Sequence, residues 1–196
     1  MVDSRRRSII RILIAILVVT MVLCSCRTTE GTEHDEIVRT SIDLAEAYVD
    51  KGEYKTALEV YDKALLQADD YRLYYNKSIV LSYMGDYSGA ADLCGTAFLS
   101  YPYIISFKTA QAEYLKAIDD RQPAIAVYLE LLDLNPYDRA IRNDYIDLLI
   151  TYGDEDEAYK QALILWNQGY KDKETVKYLY QLNPQAWESI YKQLDK

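Results

Sequence analysis

The 196-residue sequence is poor in the residues on which enzymatic and metal chemistry depends. It has one histidine, His34, and three cysteines, Cys24, Cys26 and Cys94. It contains no paired His/Cys spacing for a metal, no glycine-rich phosphate loop and no base placed to activate a serine. The sequence therefore predicts a protein that is not an enzyme, with no catalytic residue, no metal and no cofactor.

Positive charge is also scarce, and the aromatic residues are unevenly chosen. Lysine and arginine total 22 against 31 aspartates and glutamates, for a net charge of −9, so nucleic acid is not an expected partner. There are two phenylalanines and two tryptophans but 20 tyrosines. Tyrosine can bury its ring and keep its hydroxyl in water, which suits thin helical layers.

One motif recurs every 33 to 34 residues. In its first copy, residues 44–65, apolar side chains follow the i, i+3, i+4, i+7 spacing of an amphipathic helix. The second copy matches the first at four pairs of positions, which are Gly52 and Gly85, Tyr54 and Tyr87, Ala57 and Ala90, and Ala64 and Ala97. Two weaker copies have Ala124 and Ala158 in the place of Ala57. Such a period is typical of a helical solenoid.

The motif resembles the tetratricopeptide repeat. The resemblance implies an all-α fold, a right-handed α-α superhelix of about four helical hairpins with a C-terminal cap. The recurring alanines let the two helices of a hairpin approach closely, and Cys94, at a similar apolar position, is expected to be buried. The pattern predicts helices near 37–50, 53–67, 71–84, 86–99, 104–118, 121–134, 137–152, 154–167, 171–182 and 184–194.

The N-terminal segment has the pattern of a bacterial export signal. Four arginines between positions 5 and 11 precede an apolar run over 12–23, which is shorter than the roughly 20 residues of a membrane-spanning helix. The sequence Leu23-Cys24-Ser25-Cys26 resembles a lipobox, and this resemblance implies cleavage before Cys26 and its lipidation. An uncleaved anchor or an ordinary signal peptide are the alternatives. Removal of residues 1–25, with four arginines and one aspartate, would change the net charge to −12.

These features divide the chain into four parts. We expect a signal peptide at 1–25, the lipidated cysteine with a flexible tether at 26–36, tetratricopeptide-like repeats at 37–170 and capping helices at 171–196. The polar residues 27–36 could reach at most about 35 Å. His34 lies in this tether without another ligand-type residue nearby, and is expected to be neither a ligand nor a catalyst. Arg27, where aspartate would signal inner-membrane retention, favours the outer membrane.

The resemblance also implies a concave groove lined by the first helix of each repeat. Carried over to this sequence, the partner-binding positions are Arg72, Tyr75, Ile79, Tyr83, Glu113, Asn143 and Asp147. Tyr75, Ile79 and Tyr83 share one helical face and form either an aromatic platform or part of the core. Ile42 and Glu46 stand where repeats that clamp a C-terminal carboxylate have lysine and asparagine, which argues against that subtype.

The expected function is that of a bacterial tetratricopeptide-repeat lipoprotein. We expect a membrane-anchored scaffold of the cell envelope, on the periplasmic face of the outer membrane, which binds another envelope protein or a basic peptide segment through the groove. One alternative is a ligand-handling partner of a periplasmic transporter. Another is a non-catalytic activator of cell-wall enzymes.

Overall fold

The computed structural model describes residues 31–194, and this part of the chain is built of α-helices without strands. The signal peptide, Cys26 and the first residues of the predicted tether lie outside these described residues. The helices are α1 over 31–49, α2 Tyr54–Leu65, α3 Tyr71–Tyr83, α4 Tyr87–Ser100, α5 Ser106–Ala117, α6 Arg121–Leu134, α7 Arg139–Tyr152, α8 Glu155–Asn167, α9 Lys173–Leu182 and α10 Pro184–Leu194.

The helices agree with the sequence pattern in number, order and bounds. Except at the start of α1, their ends fall within two residues of the predicted positions. We call α1, α3, α5 and α7 the first helices of the four repeats, and α2, α4, α6 and α8 the second helices. The functional division of the chain at 36 and at 170 stays a prediction.

Residues 31–36, which we expected to belong to a tether, are helical and form part of α1. Two long-range contacts attach this end of α1 to the start of α3. His34 Nε2 lies 3.1 Å from Asp70 Oδ2, and Arg72 Nη2 donates to Asp35 Oδ1 at 2.7 Å. The segment has no apolar periodicity, so the sequence pattern alone gave no sign of the helix.

The chain forms two compact units, the first ending at Val80 and the second beginning at Leu81. In the first unit α1, α2 and the beginning of α3 share a core that includes Val38, Ala45, Tyr61 and Leu73. The second unit contains α4 to α10, in which each helix from α4 to α10 packs on the next one along the chain. Short connections between consecutive packed helices give antiparallel hairpins in each unit.

The predicted packing positions are confirmed. Ala57 in the first unit and Ala90, Ala124 and Ala158 in the second are fully buried. Cys94 is also fully buried, as expected for a thiol that acts as a small apolar side chain. Small side chains at these places let neighbouring helices pack closely. The face of each second helix that carries them is therefore the buried face.

The turns inside the hairpins repeat one backbone feature. Gly52, Gly85 and Gly153 have φ angles of +74°, +79° and +77°, in the left-handed region that glycine adopts without steric cost. Asp119 takes this place in the third repeat, with φ +54°. Aspartate is one of the few other residues that tolerate this conformation, so the third turn forms without glycine.

None of the helices within residues 31–194 combines the length and the apolar character that crossing a membrane requires.

Candidate protein-binding surfaces

A cleft in the first unit collects several of the predicted groove positions. Its volume is about 660 Å³, and it lies between α1 and the start of α3. Its lining residues are Thr32, Asp35, Glu36, Arg39, Ile42, Asp43 and Arg72. Arg72 was expected at the groove, and Arg39 and Ile42 occupy corresponding positions of the first repeat. The cleft is thus a strongly charged first-helix surface with one apolar side chain.

Arg72 is already engaged within the chain. Its Nε and Nη2 donate to the two carboxylate oxygens of Asp70, each at 2.8 Å, and Nη2 also donates to Asp35 at 2.7 Å. The hydrogen bonds that Asp70 receives, above all those from Arg72, lower the pKa of this mostly buried carboxyl group to about 2. The guanidinium of Arg72 therefore helps to position α1, and only part of this group is left to contact a ligand in the cleft.

Three helices of the second unit, α5, α7 and α9, carry a mainly acidic surface. We call Glu113 of α5, Asp144 and Asp147 of α7, and Glu174 of α9 the acidic face. Two basic residues adjoin it. Arg139 of α7 is ion-paired with Glu174 at 2.6 Å, and Lys116 of α5 lies 3.9 Å from Glu113 and offsets part of the negative charge around Asp144. Glu113 and Asp147 were predicted from the repeat, whereas Asp144 and Glu174 were missed. They lie outside the carried-over positions, and their place depends on how α7 packs beside α5 and α9.

Hydrogen bonds within the chain hold this face in place. Tyr128 donates its hydroxyl proton to Glu113 Oε1 at 2.8 Å, and Asn143 Nδ2 donates to Glu174 Oε1 at 3.1 Å. Burial, then the charge of Asp147 and a hydrogen bond to it, raise the pKa of Tyr178. Each predicted polar position of this unit thus has an intramolecular partner, and the carboxylates have defined positions before any ligand is bound.

The acidic face repels its own charges. Burial, followed by the negative charges of Glu113, Asp147 and Asp138, raises the pKa of Asp144, and Lys116 only partly offsets them. A cationic group brought near Glu113, Asp144 and Asp147 would therefore interact favourably with these carboxylates, whereas Glu174 is already paired with Arg139.

The predicted aromatic platform on α3 is only partly exposed. Tyr75 and Ile79 are half-buried, whereas Tyr83 is 58% exposed. All three make contacts within the chain. The surface position of Tyr83 allows it to contact a ligand, while Tyr75 and Ile79 also contribute to packing. Their role in binding stays a prediction.

Among residues 31–194, no group of three or more His, Cys, Asp or Glu side chains is arranged to hold a metal ion. The acidic run at 154–157 opens α8, where Asp154 accepts a hydrogen bond from the Glu157 amide at 3.3 Å. That arrangement is an ordinary helix N-cap.

Comparison with known proteins relates the chain to tetratricopeptide repeats. No protein-family model matches it. Tetratricopeptide repeat protein 21B of Xenopus laevis is 25% identical over 117 residues, which are 60% of this chain and 9% of that protein. The chain therefore spans less than a tenth of the length of this curated relative.

Two solved structures show the same fold. A tetratricopeptide repeat protein from Parabacteroides merdae superposes with a TM-score of 0.64 at 18% identity, covering 81% of this chain and 66% of that one. MamA from Desulfovibrio magneticus RS-1 superposes with a TM-score of 0.58 at 13% identity, covering 81% and 89%. The protein thus has an all-α fold of the tetratricopeptide superhelix class.

Proposed function

We propose that the protein is a lipid-anchored scaffold of the bacterial cell envelope. In this proposal residues 1–25 are removed as a signal peptide, and Cys26 carries the lipid that attaches the chain to the periplasmic face of the outer membrane. The helical repeats bind a segment of another envelope protein along their first helices. The membrane is contacted through the N-terminus, and nucleic acid is not a partner.

The observation that carries the binding role is the acidic face of the second unit. Its carboxylates are held by Tyr128, Asn143 and Tyr178, so little conformational freedom is left to lose when a partner binds. Burial and then repulsion from neighbouring carboxylates raise the pKa of Asp144, and a basic segment would relieve the repulsion. The proposed ligand is therefore a lysine- or arginine-rich stretch of protein.

Charge and apolar contact would have different roles in this complex. Charges at the rim of an interface mainly speed association and reject partners of the wrong sign. Binding energy is usually concentrated in a few large side chains, with aromatic residues prominent among them. Tyr83, which is exposed and has a rigid ring, is the predicted aromatic anchor, and Glu113 and Asp147 set the orientation of the basic segment.

The charged character of the cleft in the first unit makes the transporter-partner alternative less well supported. Small-molecule sites are mostly apolar and enclose their ligand with a few polar groups. This cleft is lined by three carboxylates and two guanidinium groups, with Ile42 as its one large apolar residue. The other alternative, a non-catalytic activator of cell-wall enzymes, is compatible with the scaffold role, because such an enzyme would be one kind of protein partner.

In-cell photocrosslinking followed by mass spectrometry tests the binding role. A photoreactive amino acid at Asn143, beside the acidic face, is compared in the unchanged chain and in two charge-neutralised forms. The test form carries Glu113→Gln and Asp147→Asn, which preserve shape and hydrogen-bond acceptors. The control form carries Asp92→Asn and Asp133→Asn, exposed positions on the second helices α4 and α6.

We expect the test form to lose most of its crosslink to a partner protein while the control form retains it. Higher salt should slow association in the unchanged chain, because screening weakens the attraction between opposite charges. Equal crosslinking by the test and control forms, at unchanged helicity, would contradict binding through the acidic face.

A further inference from the structure

The two ends of the helical hairpin in the first unit have opposite surface chemistry. The turn from α1 to α2, residues 50–53, is polar and exposed, with the sequence Asp-Lys-Gly-Glu. The turn from α2 to α3, residues 66–70, begins with Leu66, whose side chain is 88% exposed. Tyr71, immediately after this turn, is also exposed. Transfer of such a side chain from water into an apolar environment is favourable.

The same asymmetry recurs in the second unit, considered by itself. Exposed apolar residues flank the turns that lead from a second helix to the next first helix. They are Leu99, Tyr103, Leu134 and Tyr137. The turns inside its hairpins carry aspartates, at 86, 119, 120 and 154. Exposed apolar residues are fewer there, but Tyr83 is 58% exposed beside the α3–α4 turn, and Met84 and Ile118 are exposed to about 40%. Exposed apolar residues therefore recur at the turns between hairpins, although the α3–α4 turn carries them as well.

The α2–α3 turn lies at the end of α1 that is nearest the proposed anchor. The contacts of His34 with Asp70 and of Asp35 with Arg72 place the first turns of α1 beside the end of this turn. Cys26 precedes residue 31 by five residues, and five residues of backbone span at most about 18 Å. A lipid on Cys26 therefore limits how far this end of the first unit can be from the bilayer.

We propose that the α2–α3 turn docks on the bilayer that holds the N-terminal lipid, with Leu66 entering its interfacial region. The inference rests on the lipid anchor of the proposed function. Tyr71 suits the same region, because tyrosine is enriched where hydrocarbon meets the headgroups. Asp62 is ion-paired with Lys77, and the exposed charges of Lys63 and Asp69 are opposite in sign, so the turn has little net charge and the expected lipid surface is zwitterionic.

Docking of this kind has a structural consequence for the proposed scaffold. A lipid on a short tether leaves the orientation of the attached unit free, whereas a second contact at Leu66 restricts it. The cleft lining of α1 would then be held at a defined angle to the membrane, and not merely at a limited distance from it.

Spin labelling of the full, processed protein on vesicles of phosphatidylethanolamine and phosphatidylcholine tests the inference. A nitroxide is placed at Leu66→Cys and, as the matched control at the opposite turn of the same unit, at Lys51→Cys. Cys94 is buried, and the unsubstituted chain measures any background labelling. Collisions with oxygen, which concentrates in the bilayer, are compared with collisions with a water-soluble nickel complex.

On vesicles, the label at position 66 should show a several-fold lower ratio of nickel to oxygen collisions than the label at position 51. The difference should disappear in detergent-free solution after proteolytic removal of the lipidated N-terminus. A label at 66 that is as accessible to nickel as the one at 51 overturns the inference. So does a label at 66 that is equally shielded with and without vesicles, which would indicate a protein partner or a second copy.

The inference and the proposed anchor can fail separately. A chain that resists carbonate extraction while position 66 stays in water keeps the anchor and rejects docking by the turn. A chain that carbonate releases rejects the anchor, and the inference is rejected with it.

Discussion

The hydroxyl of Tyr128 lies 2.8 Å from Glu113 Oε1 and donates a hydrogen bond to it. The tyrosine is almost fully buried on the second helix α6, and its ring stacks on Tyr145 with 5.8 Å between centroids. Glu113 lies on the exposed face of α5. Burial, and then the hydrogen bond to Glu113, raise the pKa of Tyr128, so its hydroxyl stays protonated and remains a donor. One bond thus links the core of the hairpin to its candidate binding surface.

Tyr128→Phe should lower the free energy of unfolding by only about 0.5–1.5 kcal/mol, the usual contribution of one hydrogen bond. Tyr128→Ala, which also removes the ring, should lower it by about 3–5 kcal/mol. Urea denaturation of both variants measures the difference. Equal losses would mean that the hydroxyl, and not the packed ring, is what the core requires.

Ala90→Asp should destabilise the second unit by several kcal/mol. Ala90 is fully buried, and an aspartate there would have neither water nor a partner for its charge. Asp92→Ala on the same helix is the control, since Asp92 is exposed and its loss should change stability by less than about 0.5 kcal/mol. Thermal and denaturant melts check the pair, and similar midpoints would show that the repeat register is wrong.

The contacts of Asp70 with Arg72 at the start of α3, and with His34 of α1, predict a pH-dependent stability of the first unit. Its pKa falls from 3.8 to about 2 on folding, mainly through the hydrogen bonds from Arg72. The corresponding stability, about 2 kcal/mol, is fully present well above pH 4, declines as the pH falls from 3.8 towards 2, and is absent below both values. Asp70→Asn should remove it at pH 7.

Amide hydrogen exchange in α1, compared for Asp70→Asn and the unchanged chain, measures this effect. Exchange should be faster in the variant at neutral pH, and the two proteins should become similar near pH 2. Asp43→Asn is the control on α1, because Asp43 is exposed. Equal protection of α1 in all three proteins at pH 7 would show that Asp70 does not hold the helix.

Tyr83→Ala should weaken capture of the native partner and leave folding nearly unchanged. The side chain is 58% exposed, so its removal should alter the free energy of unfolding by less than about 0.5 kcal/mol. Tyr137→Ala, at an exposed tyrosine outside the predicted groove, is the control and should bind normally. Partner recovery by cross-linking and mass spectrometry measures both. A loss of stability in Tyr83→Ala would instead assign this tyrosine to the core.

Cys26→Ala should give an unprocessed precursor or a soluble protein, because it removes the thiol that the lipobox presents for acylation. Cys24→Ser, a change two residues before it, should leave processing intact. Carbonate and salt washes of membranes, with metabolic labelling by a radioactive fatty acid, distinguish the forms. A Cys26→Ala protein that is still cleaved at the same bond and still firmly membrane-bound would exclude lipid anchoring.

The helical repeats could be predicted because their signals are local. The spacing from Gly52 to Ala57 recurs from Gly85 to Ala90, and each pair has the same backbone and packing role in the structure. Helix periodicity and turn residues act over a few positions, so a sequence motif is sufficient to specify them. The third turn follows the same spacing, since Asp119 stands five residues before Ala124 and adopts the left-handed conformation that glycine has in the other turns.

The first turns of α1 could not be predicted because their stabilising contacts are distant in the sequence. His34 and Asp70 are 36 residues apart, and Asp35 and Arg72 are 37 apart. Read alone, the segment is polar and without periodicity, which is the pattern of a tether. Only the packing of α1 beside α3 shows that its charged residues have partners.

The sequence by itself determined the class of fold, the order of the helices and the face of each that is buried, because these follow from local spacing and side-chain size. The tertiary structure decided which polar groups meet. Arg142, for example, is a buried cation that donates to the Pro136 carbonyl at 2.6 Å and to Gln161. Similarly, the pKa of Asp144 is raised first by its burial between helices and then by the negative charge of Glu113 on α5. Hydrogen bonds and charge interactions depend on distances between helices, and no spacing along one helix contains that information.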